Sequence, residues 1–180
     1  MIYIVRHGET NYNVEGRYAG RIDVPLNDNG IKQAYLIKEK LKDIKFDKVF
    51  SSPLKRAYET ATIICGDKYN IIKDDRLIER SNGELEGRLK KEIKEYIDFN
   101  DINENRFDIE NIVDFRKRVK EYIDYILDNY RGKNILVVTH AGVCIYARCY
   151  FEGDPQNGDY SKYKIKNCEV LEYENNTLHY

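Results

Sequence analysis

Four side chains in this sequence stand where chemistry could be done. Arg6 and His7 close the apolar run Ile2-Tyr3-Ile4-Val5, Arg56 follows Ser51-Ser52-Pro53, and His140 ends a second apolar run, Ile135-Leu136-Val137-Val138. Small residues come after each histidine: Gly8 in one case, Ala141-Gly142 in the other. A phosphate monoester dianion asks for such a set. It needs fixed cations for its oxygens, a nucleophile in line with the leaving oxygen, and an acid to protonate that oxygen. Arginine offers planar forks suited to bidentate phosphate contact, where lysine is a point charge. A neutral imidazole nitrogen can attack phosphorus and later leave, dividing one hard displacement into two easier ones. Its other nitrogen, donating to a carbonyl such as that of Gly8, would hold the required tautomer. Neighbouring guanidiniums would keep the ring unprotonated.

The elements that must position these groups follow from the pattern of the chain. A short β-branched and aromatic run closed by glycine is a buried strand with a sharp exit. In open α/β sheets, ligands sit just outside the carboxyl ends of the strands. Two such exits, at His7 and His140, can face one pocket. Between them, 11–23 is expected as a polar loop, a helix over 31–44, a strand at Lys48-Val49-Phe50, and a helix with Ser52 as N-cap and Pro53 in first position, ending near Gly66. That start makes Arg56 a first-turn residue and adds the partial positive charge of a helix N-terminus. A short edge strand is expected at Tyr69-Asn70-Ile71-Ile72, a charged helix over 89–99, the longest helix over 113–130, and a buried helix over 143–151. A terminal hairpin, Val170–Tyr173 with Thr177–Tyr180, completes the sheet. The fold class is α/β, a single three-layer α/β/α domain over 1–180 with a mostly parallel central sheet.

Composition narrows the partners. With 30 basic and 31 acidic side chains, the chain has no general attraction for nucleic acid or anionic lipid, so any anion site must be local. Cys65, Cys144, Cys149 and Cys168 form no paired spacing, which suggests buried thiols in a reducing, cytoplasmic setting. No apolar stretch reaches the length of a membrane span. His140 and Cys144 have metal-compatible spacing, but two ligands make no site, and no metal or cofactor is expected. His179 is expected to be structural. The run Arg88-Leu89-Lys90-Lys91-Glu92 suggests a solvated helix face whose basic flank could draw in anions.

Arg6-His7-Gly8-Glu9-Thr10, with Asn13, Gly16-Arg17, Asp23-Val24-Pro25-Leu26, Gly30, Ser51 through Ala57, Leu77-Ile78-Glu79, Gly83, Glu86-Gly87 and Val138 through Gly142, resembles the histidine phosphatase superfamily, the phosphoglycerate mutase-like family. The resemblance covers most of the chain in order. It implies that His7 is the residue phosphorylated, that Arg6, Arg56 and His140 form the rest of the phosphate pocket, and that Glu79 is the general acid and base. Glu84 and Glu86 stay open as alternatives to Glu79. Asn13, Gly8 and Ala141 are the remaining expected substrate contacts. The partner implied is a small phosphorylated metabolite or inorganic phosphate, including the α-ribazole-phosphate type. The resemblance leaves the oligomeric state open. A phosphoglycerate mutase is the nearest rival, but the 87–113 segment is short, Asn82 replaces the mutase aromatic, and Ala19 departs from the usual glutamine. A phosphohistidine-protein phosphatase and a non-catalytic module binding phosphorylated ligands also remain open.

Overall fold

In the computed structural model, which describes residues 1–104 and 106–175, the apolar runs become strands of one five-stranded sheet. β1 (Ile2–Arg6), β2 (Lys48–Ser51), β3 (Ile71–Lys73) and β4 (Ile135–Thr139) are mutually parallel, and β5 (Val170–Tyr173) runs antiparallel to β1. The spatial order is β3-β2-β4-β1-β5. The central strands are apolar on both sides because both sides are covered. Tyr3, Val5, Val49, Leu136 and Val138 meet Ala57, Ala61 and Ile64 of α3 (Lys55–Cys65), which itself packs on α2 (Asp28–Lys40). The alternate residues Ile2, Ile4, Phe50, Ile135 and Val137 meet Phe115, Val119 and Ile123 of α4 (Ile112–Asn129), together with Val143 and Ala147 of α5 (Ala141–Glu152). Three layers result. The register sets Arg6 opposite Thr139 and Ser51 opposite Val138, so His7, Ser52 and His140 leave the sheet at the same carboxyl edge.

Three expectations are corrected. The 11–23 segment begins with a short helix, α1 (Asn11–Glu15), because Thr10 and Asn13 form a capping box and Gly16 closes it at φ 69°. α3 begins at Lys55 rather than Pro53, with Leu54 still extended. Its exposed N–H is met from another segment, since Asp23 Oδ1 accepts from Lys55 N at 2.6 Å. The charged helix over 89–99 is absent: only Lys90–Glu92 makes a single 3-10 turn. Here long-range backbone pairing wins over helical spacing. Gly87 N donates to Tyr18 O, Tyr18 N to Arg88 O and Lys90 N to Gly16 O, all within 3.1 Å. The Thr177–Tyr180 half of the terminal hairpin lies outside the described residues, and no described helix is long and apolar enough to cross a membrane.

Candidate active site

His7 leaves β1 with its backbone N–H bonded to Thr139 O, so the ring is set by the sheet itself. Its Nδ1 lies 2.7 Å from the carbonyl oxygen of Gly8, an acceptor only, which places the proton on Nδ1 and the lone pair on Nε2. Gly8 N in turn donates to Thr60 Oγ1. Gly8 therefore has both backbone groups on protein partners and holds the ring of His7; it does not line the cavity. A side chain there would strike the backbone of Gly30, 2.5 Å away.

His140 caps α5 and is fully buried. The centroids of its ring and that of His7 are 5.2 Å apart. Its Nε2 lies 2.7 Å from Ser52 Oγ, while its Nδ1 is buried with no hydrogen-bond partner. Ser52 Oγ also accepts from Leu54 N. An unpartnered buried ring nitrogen carries a desolvation cost.

Arg56 is 1% exposed, and its Nη1 and Nη2 donate to Ile22 O and Gly20 O at 2.7 Å. Arg6 donates Nη1 to Ile165 O at 2.7 Å. The Nε of each is buried without a partner. Among the described residues neither guanidinium has a carboxylate within ion-pair distance. Burial lowers the pKa of both, with Glu79 acting in the opposite direction. Two desolvated cations without counter-ions are expensive unless an anion joins them.

Glu79 projects from the loop after Leu77, where Oε1 accepts from Arg80 N at 2.9 Å and Oε2 from Gly142 N at 3.1 Å. A Cβ at Gly142 would fall 2.4 Å from Oε1, so only glycine lets the carboxylate reach the start of α5. Glu84 is exposed, and Glu86 spends its carboxylate on Arg21 N and Asn82 N. Of the three glutamates, Glu79 alone lines the cavity.

That cavity, about 580 Å³, brings together Arg6, His7, Asn13, Arg56, Glu79 and Ala141. His140, wholly buried, does not line the cavity itself and backs the ring of His7. The side-chain oxygen of Asn13 is already taken by Thr10, which leaves its amide nitrogen to offer an anion. Among the described residues no three His, Cys, Asp or Glu side chains stand close enough to hold a metal ion.

Sequence reasoning missed Thr60, which accepts from Gly8 N, and Gly142, whose lack of a side chain admits Glu79. It also missed Arg118, which lies in a helix read only for its apolar face. Arg118 grips the Glu79 loop from α4, donating to the carbonyls of Arg76, Ile78 and Glu79 and forming a fork on Glu110 at 2.8 and 2.9 Å. Arg118→Met strands those acceptors in a half-buried setting. The expected loss is about 3 kcal/mol, read from the urea midpoint.

Burial lowers the pKa of both histidines well below that of free imidazole, with Arg56 the next cause for each. The sign of the linkage follows. As pH falls through about 6.5 the unfolded chain takes up protons that the folded rings refuse. Stability is thus complete above that pH and declines below it, at up to about 1.4 kcal/mol per pH unit per ring. Urea titrations between pH 8 and 5.5 should show this slope, and His7→Asn should roughly halve it.

A profile for the histidine phosphatase superfamily (branch 1) matches residues 2–178. The chain is 38% identical over 154 residues to phosphoglycerate mutase-like protein 4 of Arabidopsis thaliana, a match covering 79% of this chain and 66% of that protein. It is 34% identical to phosphoserine phosphatase 1 of Hydrogenobacter thermophilus, covering 77% and 70%. Among solved structures it superposes on a putative alpha-ribazole-5'-P phosphatase of Escherichia coli, with TM-score 0.80 and 28% identity over 92% of this chain and 85% of that one.

Proposed function

The chain belongs to the histidine phosphatase superfamily, and from that premise we propose that it hydrolyses phosphate monoesters of small molecules through a phosphohistidine on His7, without a metal ion. Arg6 and Arg56 bind the phosphoryl oxygens. His7 Nε2 attacks phosphorus while the bond to the leaving oxygen breaks, and Glu79 delivers its proton to that oxygen. The imidazole Nδ1–H stays on Gly8 O throughout. Glu79, now a carboxylate, takes a proton from water as the water attacks the phosphohistidine. The P–N bond breaks, inorganic phosphate leaves, and both side chains return to their starting states. His140 Nδ1–H meets the negative charge that builds on the phosphoryl group. The guanidiniums supply the positive charge that a divalent ion provides elsewhere.

One observation carries this reading: buried Arg56 and half-buried Arg6, neither with a carboxylate partner among the described residues, and a singly acceptor-bound imidazole open on one cavity that also holds a carboxylate. The test is p-nitrophenyl phosphate turnover in EDTA, with rapid quenching to trap an acid-labile, alkali-stable phosphoenzyme. Turnover that requires added metal, or no phosphoenzyme on the reaction path, would overturn it. Tight phosphate binding without turnover would instead mark a binding module. With 3-phosphoglycerate as substrate, free phosphate supports hydrolysis and 2-phosphoglycerate supports a mutase.

A further inference from the structure

The phosphate half of the cavity uses two cations, yet seven cationic side chains line it and Glu79 is the lone carboxylate among the described residues. In a chain with net charge −1 this is a strong local excess. Resting on the hydrolytic reading above, we propose that the far half of the cavity, built around Lys90, Arg116 and Lys164, binds a second anionic group, carboxylate or phosphate, carried by the leaving group of the substrate.

The cations there are held in place and poorly neutralised. Lys90 sits on the turn pinned by the backbone pairings from Gly87, Tyr18 and Gly16, and no described carboxylate lies within ion-pair distance of its ammonium. Lys90 lines the same cavity as Arg6 and Lys164; burial and then Arg6 lower its pKa, Glu79 raises it, and Lys164 lowers it further. Lys164 follows the turn Tyr160–Tyr163 and immediately precedes Ile165, whose carbonyl holds Arg6. Arg116 lies between the rings of Tyr146 and Tyr160, 5.3 and 5.5 Å from their centroids. It donates to Tyr160 Oη, its Nε is buried without a partner, and its one carboxylate partner among the described residues, exposed Asp154, is 3.5 Å away. Lys90 is repelled by Arg6 and Lys164, and Arg80 by Arg116; an arriving anion relieves this, which favours a doubly anionic substrate over a neutral-tailed one.

The experiment uses two matched pairs. Glycerol 3-phosphate and 3-phosphoglycerate differ by a carboxylate; fructose 6-phosphate and fructose 1,6-bisphosphate differ by a phosphate. The expected result is a kcat/KM ratio of about tenfold or more in favour of the doubly anionic member of at least one pair, with the pair showing which group the site takes. In Lys90→Gln/Lys164→Gln the ratio should fall to within about threefold of one. A ratio near one in the natural chain, or a ratio unmoved in the double variant, overturns the proposal. Calorimetric binding of the same four probes to His7→Ala reads the site without turnover. If nothing is hydrolysed but the preference survives there, the hydrolytic reading fails and the subsite stands.

Discussion

His7→Ala and His7→Asn are each expected to lower turnover of p-nitrophenyl phosphate by at least about 10⁴-fold and to abolish the trapped phosphoenzyme, as loss of a covalent nucleophile does elsewhere. The two variants guard against different confusions. Alanine leaves Gly8 O unpaired at a buried edge, whereas asparagine keeps an N–H donor at that height and removes only the attacking nitrogen. Equal losses in both, with a retained urea midpoint for asparagine above pH 7, assign the effect to chemistry. Activity of either variant within tenfold of the natural chain would end the phosphohistidine mechanism, whatever the fold.

Glu79→Gln should show a loss that depends on the leaving group. An alkoxide needs its proton in the transition state, so hydrolysis of an alkyl phosphate is expected to fall by 10²- to 10⁴-fold, roughly the span of general acid catalysis. A p-nitrophenolate leaves well without help and should cost about tenfold at most in the first step. The second step has no such relief, because water must still lose a proton. With p-nitrophenyl phosphate the variant should therefore release a burst of nitrophenolate close to one per active site and then slow. Equal losses for both substrates and no burst would move the acid-base role away from Glu79. The amide cannot accept from both Arg80 N and Gly142 N as the carboxylate does. For that reason the ratio between substrates, rather than either rate, is the measurement to trust.

The sheet edge was legible from the sequence because strands buried on both faces must be apolar throughout, and the polar residue that ends each run marks where the chain leaves the sheet. Arg6, His7 and His140 fall there by that rule alone. Where the sequence misled, tertiary contacts replaced local ones. Ser52 has the makings of an N-cap, but its hydroxyl is drawn to the His140 ring, and α3 takes its first acceptor from Asp23 instead. The 89–99 segment has helical spacing, but its start, through Lys90 N, is tied to the loop around Tyr18. The Thr10-x-x-Asn13 capping pattern was there to be found, and the glycine that closes α1 with it. Arg118 left no local signal, since a charged residue on a helix flank usually meets water.

Thr60 shows what kind of object this pocket is. Its hydroxyl donates to Arg56 O at 2.6 Å and accepts from Gly8 N at 3.0 Å, one turn along the helix that carries the guanidinium. A single buried oxygen thus rivets the loop that orients the nucleophile to the helix that carries Arg56. The socket for phosphorus is tied together by that oxygen, while two of the far wall's cations, Lys90 and Lys164, sit on or beside turns that belong to other parts of the chain. Those turns can be rebuilt, lengthened or recharged to suit a new leaving group without retuning the machinery that breaks the bond.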